Sequence, residues 1–204
     1  MQKSEAFGDY APVYEGALPY LDTRHNDIHV QISFRFARRL LSFYPEADER
    51  VVLPAIILHD IGWKLIPEEL QHMAFGPNVT RPDLQRKHEI EGARLAKEIL
   101  AALDDFTIVC DEIVTIIDGH DTRTVALSLN DKLVKDADKL WRFTGIATGI
   151  DCHRFAIPWR EHVEWLGHRI DGWMFTDQAR RLAHQTLERT MREGEPELQG
   201  NETA

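Results

Sequence analysis

Apolar residues recur at helical spacing along almost the whole chain. His29, Ile32, Phe36 and Leu40 fall at i, i+3, i+7 and i+11, with Phe43 continuing the stripe, which predicts an amphipathic helix that Pro45 ends. Val51 to His59 is apolar nearly all round and reads as a short buried helix. It runs into Asp60-Ile61-Gly62, with the glycine as its stop. Residues 62–82 carry Gly62, Pro67, Gly76, Pro77 and Pro82 and read as a long broken connection, the kind of segment that serves as a lid or binding loop. Lys87 to Leu103 is amphipathic through Ile90, Ala93, Leu95, Ile99 and Leu100. Asp104 or Asp105 is placed to cap the next helix, which carries Phe106, Val109, Ile113, Ile116 and Ile117. Asn130 to about Cys152 reads as one further helix, and Pro158 to Arg169 and Thr176 to Arg192 complete the set. Two-residue alternation is scarce, so the expected fold class is all-α.

The chain has 204 residues, enough for one core that buries roughly 70% of the unfolded surface. No repeat, low-complexity block or linker divides it, so the expected organisation is an N-terminal segment over 1–24, a single compact helical domain over 25–192 with extra helices at its C-terminal end, and an acidic, disordered tail over 193–204. With 24 Lys+Arg against 34 Asp+Glu the formal net charge is −10, which argues against a nucleic-acid scaffold. The two cysteines, Cys110 and Cys152, cannot form a disulfide framework or a cysteine-rich zinc site. No apolar run approaches the ~18 residues of a membrane span, and the N-terminus lacks the pattern of a signal peptide. A cytoplasmic protein without membrane contact is expected, with homo-oligomerisation open.

Ten histidines in an acidic chain require an explanation. His59-Asp60 ends the apolar helix, and alone the pair reads equally as an ordinary helix terminus. Three other histidines sit in comparable helical contexts: His29 on the first stripe, His88 in Lys-His-Glu-Ile-Glu-Gly-Ala, and His120 in Ile-Ile-Asp-Gly-His-Asp. Asp138 lies four residues after Val134 and three before Trp141, so it borders a buried face, where a carboxylate is costly unless paired or coordinating. His25 reads as part of a helix start, and His72, His153, His162, His168 and His184 as surface or structural residues. Trp159, Trp165 and Trp173 read as core.

The order His29, His59-Asp60, His88, His120, Asp138 resembles the HD-domain superfamily of metal-dependent phosphohydrolases. The resemblance covers about Asp27 to Trp141 and weakly the final helix. It implies His29, His59, Asp60 and Asp138 as ligands of a divalent transition metal (Mn, Fe, Ni, Co or Zn), with Asp136 as the alternative to Asp138. It also implies one ion or two, His88 and His120 either holding the second with Asp60 bridging, or orienting ligands and contacting phosphate. Imidazole and carboxylate donors suit these metals. A bound cation supplies positive charge that the acidic surface does not, so a small phosphorylated substrate fits.

Lys64, just after the pair, is a candidate substrate-binding and catalytic residue, and Glu68 a candidate general acid or base beside Glu69. Arg123 is a candidate phosphate clamp, with Arg24 and Lys135 comparable. Surface ion pairing is the ordinary alternative for each. The function expected is hydrolysis of a nucleotide or another small phosphate ester or anhydride. A second expectation is an HD-type di-iron oxygenase that cleaves a C–C or C–P bond, and a third a nucleotide-binding module without turnover.

Overall fold

The structure, a computed structural model, describes residues 4–195. Helical periodicity becomes α1 (Ala11–Ala17), α2 (Asn26–Leu41), α3 (Glu49–Leu58), α4 (Glu68–Gln71), α5 (Pro82–Ala101), α6 (Cys110–Ile117), α7 (Leu129–Leu140), α8 (Gly145–Phe155), α9 (Trp159–Gly167), α10 (Ile170–Trp173) and α11 (Asp177–Glu193). The fold class is all-α, as expected, with no strand among the described residues. None of these helices is long and apolar enough to cross a membrane.

The most apolar segment takes the centre. Every residue of α3 from Val51 to Leu58 is buried, and α1, α2, α6 and α7 pack around it. Asp48 starts the helix by accepting the Arg50 amide at 2.8 Å. Fully burying a Leu or Ile side chain stabilises the fold by about 1.5–3 kcal/mol, so this helix anchors the core and fixes the residues at its end. Residues before position 25 belong to the same core: Phe7, Tyr14 and Leu21 are buried in it, and Phe7 stacks on Tyr14 at 4.0 Å. The acidic stretch expected to be disordered lies outside the described residues from position 196 onward, while Glu193 is the last residue of α11.

Several expectations are corrected. The buried stripe of α2 is His29, Val30, Ser33, Phe34, Ala37 and Leu40; Ile32 and Phe36 are only partly buried and Phe43 is exposed. On α5, Ile90 is exposed, because Gly92, Ala93 and Ala96 form the face that meets its neighbours. No side chain caps α6, whose first turn follows Val109. The helix expected from Asn130 to Cys152 breaks after Leu140: Thr144 turns extended (ψ 149°), donates to the Trp141 carbonyl at 2.6 Å and accepts the Ala147 amide to start α8. Trp165, expected in the core, is 42% exposed.

Gly62 is not a helix stop. It lies in the 3₁₀ turn Ile61–Leu65, where a Cβ would overlap the His88 carbonyl and come within 2.6 Å of the Gly92 nitrogen. The missing side chain lets that turn lie directly on α5.

Asp136 of α7 accepts the amides of Phe175 and Thr176 and the Thr176 hydroxyl, at 2.7, 3.0 and 2.7 Å. It thereby ties the start of α11 to the core, a structural use that leaves Asp138 to face the histidines.

Candidate metal centre

Five separate elements deliver six side chains to one buried point. His29 comes from α2, His59 and Asp60 from the end of α3, His88 from α5, His120 from the turn after α6, and Asp138 from α7. All six are buried. His29 Nε2 and His59 Nε2 lie 2.9 Å apart, and Asp138 Oδ1 is 3.3 Å from the first and 3.4 Å from the second. Asp60 Oδ2 is 3.5 Å from His29 Nε2 and 3.8 Å from His59 Nε2. Its other oxygen, Oδ1, faces a second pair: 3.7 Å from His88 Nε2 and 3.5 Å from His120 Nε2, which are themselves 3.4 Å apart.

Backbone carbonyls set the ring tautomers. His59 Nδ1 lies 2.9 Å from the Ile56 carbonyl and His120 Nδ1 lies 3.0 Å from the Ile117 carbonyl, each three residues back. A carbonyl only accepts, so each Nδ1 carries the hydrogen and satisfies a carbonyl freed at a helix end. In the neutral ring, Nε2 is then a lone pair aimed at the cluster. Acceptors facing acceptors at these distances fit a cation between them: two imidazole nitrogens bound to one ion at about 2.0–2.1 Å lie about 3 Å apart. His29 with His59 and Asp138, His59 with Asp60 and His120, and His88 with His120 and Asp121 are each grouped closely enough to hold a metal ion.

Neighbours fix these side chains. Trp63 Nε1 donates to Asp60 Oδ1 at 3.1 Å, and its ring stacks on His88 at 4.0 Å. Asn26 Nδ2 donates to the Asp60 carbonyl at 3.2 Å. Trp141 packs edge-on to His29 at 4.5 Å. Gly119 takes a positive φ of 117° to turn the chain after α6, and the buried Lys135 clamps that turn by donating to the carbonyls of Gly119 and His120 at 2.8 and 2.6 Å.

The field of the cluster follows from its charges. Burial opposes ionisation of Asp60 and Asp138, yet the facing imidazoles, with Lys139 beside Asp138, hold both carboxyls well below the usual range. Burial also opposes protonation of His120, but Asp60 and Asp121 raise it to about 9. Burial and the neighbouring His120 push His88 down to about 4.

Arg24 excepted, the other sequence candidates do not reach the cluster. Lys64 pairs with Asp22 at 2.8 Å on the surface. Glu68 is exposed and lines, with Asp22 and His72, a cavity that shares Arg24, Phe75 and Arg154 with the cleft over the cluster but is lined by none of the cluster histidines. Arg123 donates to the carbonyls of Thr115, Ile116 and Asp118 at 3.1, 3.4 and 3.0 Å, closing the end of α6. Lys135 is spent on the turn before α7. His25, expected to cap α2, is exposed, has φ 61° and makes no side-chain cap.

Three groups beside the cluster, Asp121, Lys139 and Glu89, were not legible as site residues. Asp121 Oδ2 lies 3.9 Å from both His88 and His120. Lys139 bridges Asp121 and Asp138 at 3.6 Å each. Glu89 accepts the Asp121 and Thr122 amides at 2.8 and 2.7 Å and so fixes the loop that carries His120. Arg24 lies in the cleft above the cluster with Arg142 and Arg154. The only sequence signals for Asp121, Lys139 and Glu89 were adjacency to His120, Asp138 and His88; Arg24 was a candidate phosphate clamp comparable to Arg123.

The chain has no match among curated proteins or among solved structures. The family model described as HD domain matches residues 27–142, more than half of the chain and all six residues of the cluster. That match and the buried histidine–aspartate cluster together place the chain in the HD-domain superfamily of metal-dependent hydrolases.

Proposed function

We propose that this chain is a metal-dependent phosphohydrolase acting on a nucleotide or another small phosphate ester or anhydride. In this reading His29, His59, Asp60 and Asp138 hold one divalent transition-metal ion. His88, His120 and the second oxygen of Asp60 hold another, with Asp121 beside them. The observation that carries the reading is Asp60, whose Oδ2 faces His29 and His59 and whose Oδ1 faces His88 and His120.

Bound divalent cations lower the pKa of water and neutralise phosphoryl charge. The chain's own residues supply the rest. Trp63 and Asn26 keep Asp60 from turning. Burial raises the Asp121 carboxyl, but His120 and Lys139 outweigh it and hold it at about 2, so Asp121 is ionised at neutral pH and adds negative charge beside His88 and His120. Arg24, Arg142 and Arg154 line the cleft and attract an anionic substrate toward it.

Elemental analysis of the purified protein, followed by phosphate and pyrophosphate release from a panel of nucleotides and simple esters without oxygen, tests this. Release that vanishes on chelation and returns with Mn, Co, Ni or Zn is the expected result. Two irons, no phosphate release and oxygen consumption with a substrate would replace it with the oxygenase reading.

A further inference from the structure

Beside the cluster the surface opens into a cavity of about 690 Å³, within the range of small-molecule sites. Arg24, Phe75, Asp121, Arg142 and Asp151 line both this cavity and the cleft over the cluster, so the two are continuous.

Arg24 is held there at a cost. Its backbone sits at φ 55°, a left-handed conformation that disfavours a side chain. Its guanidinium lies 4.0 Å from the Trp63 ring centre and 3.9 Å from that of Phe75, sandwiched between them. Nε and Nη1 are buried with no hydrogen-bond partner. Burial pushes the guanidinium down to about 10, against the pull of Asp60. Two buried guanidinium nitrogens without partners are costly, and the ring faces of Trp63 and Phe75 offset only part of that cost, while the Arg24 carbonyl that accepts from Arg154 would be supplied by any residue.

The surrounding charges point to what completes it. Arg142 and Arg154 share Asp151, at 3.6 and 3.5 Å. Lys139 lies between Asp121 and Asp138. Without a cation in the cluster, these basic groups and Arg24 face Asp60, Asp121, Asp138 and Asp151. Once Asp60 and Asp138 are committed to a metal, four cationic side chains face two carboxylates, and the cleft carries a positive excess that an anion would balance.

The far wall is aromatic. Phe75 and Phe155 meet edge to face at 5.7 Å, and Trp165, 42% exposed, stacks on His162 and meets Trp173 edge-on at 5.3 Å. The Arg169 guanidinium also lies 4.8 Å from the Trp165 ring centre, so beside His162 and Arg169 the tryptophan presents its remaining exposed surface to the cavity as a contact for another ring.

We infer that cleft and cavity form one substrate site, in which Arg24 grips the phosphate and the wall of Phe75, Phe155 and Trp165 receives a flat ring carried by the same molecule. The substrate class is thus a phosphorylated compound with an aromatic or heteroaromatic group, not a phosphorylated polyol. The inference rests on the metal-hydrolase reading for the position of the phosphate.

Calorimetry on the metal-loaded protein with phenyl phosphate, glycerol phosphate and inorganic phosphate tests it, because binding is read without turnover. Phenyl phosphate should bind about tenfold more tightly than glycerol phosphate. Arg24→Gln, at unchanged metal content and helix content, should weaken both by about tenfold or more, and Arg24→Lys should recover part of the loss. Trp165→Ala should erase the preference for the ring while leaving glycerol phosphate binding as it was. Equal binding of the two esters, wild-type binding by Arg24→Gln, or no binding of any probe would overturn the inference. Should Arg24→Gln lose metal or fold, Arg24→Lys and Trp165→Ala decide: wild-type binding of both esters by each of them overturns it. Phenyl phosphate bound with this pattern but never hydrolysed would leave the inference standing and remove the hydrolase reading; hydrolysis without the pattern would do the reverse.

Discussion

His29 Nε2 and His59 Nε2 face each other at 2.9 Å, with the hydrogen of the His59 ring committed on its far side to the Ile56 carbonyl. Asp138 and Asp60 close on the same point. Such a set is held together by a cation or strained without one. Chelation should therefore lower the melting temperature, and re-addition of Mn, Co, Ni or Zn should restore it, by about 3–4 kcal/mol of stabilisation at a hundred- to thousandfold excess over Kd. A melting temperature indifferent to both would remove the metal from the fold.

Asp60 is the group both histidine pairs share. Asp60→Ala should empty the cluster, abolish activity and leave the helical circular-dichroism signal largely intact, since α3 is stabilised by its apolar residues. Metal retained at full stoichiometry in this variant would refute the assignment.

His88→Ala and His120→Ala separate one ion from two. His88 and His120 meet Asp60 Oδ1, not the oxygen that faces His29 and His59. Each variant should bind half the metal of the wild type, measured by inductively coupled plasma analysis on protein of known concentration. Unchanged stoichiometry would confine His88 and His120 to orienting their neighbours.

The six residues of the cluster could be picked out in the sequence because each sits at a recognisable place in a strong helical pattern, even though His29 and Asp138 are far apart in the chain. Lys64 lies away from the cluster for the opposite reason. It is close to Asp60 in sequence, but the tight turn Ile61–Leu65 has three residues per turn, and it sends Trp63 inward and Lys64 out. Arg24 depends on a left-handed backbone angle and on Trp63 and Phe75, which reach it only in the folded chain. Asp121 and Glu89 sit beside recognised histidines, yet adjacency alone does not show which way a side chain turns.

Arg123 shows how a charge near the site serves the fold instead. Its guanidinium satisfies three carbonyls at the end of α6 and approaches Asp131 at 3.4 Å. Arg123→Ala should cost about 1–3 kcal/mol by chemical denaturation, the range for hydrogen bonds from a charged donor. KM should stay as in the wild type; a KM raised tenfold without loss of stability would return Arg123 to the substrate.

The pH dependence of stability should differ between the metal-free and the metal-bound protein. In the metal-free fold His88 lies at about 4, below its unfolded value of about 6.5, so its contribution is lost as the pH falls from 6.5 toward 4. His120 lies at about 9, above its unfolded value, so its contribution is full below about 6.5 and lost as the pH rises through 9. The chelated protein should be most stable near pH 6.5. Metal binding requires unprotonated rings, so the gain in melting temperature on adding Zn or Mn should grow from pH 6 to pH 9. A gain that does not change with pH would exclude the histidines as ligands.

Gly62 couples the stability of the fold to the geometry of the centre. Its backbone lies against the His88 carbonyl and the Gly92 amide, where a methyl group has no room and neither partner is a side chain that can rotate away. Gly62→Ala must therefore push the turn Ile61–Leu65 off α5, and that turn carries Trp63, which both holds Asp60 Oδ1 and stacks on His88. The substitution should destabilise the protein by about 3 kcal/mol, at the upper end for overpacking. Metal affinity should fall with it, read by competition with a chromophoric chelator at a temperature where the variant remains folded. Gly92→Ala is the informative control, because a Cβ there meets its nearest atoms at an ordinary 3.4 Å. It should cost less than Gly62→Ala in both measurements; equal effects would mean that the close approach at Gly62 does not set the position of Trp63.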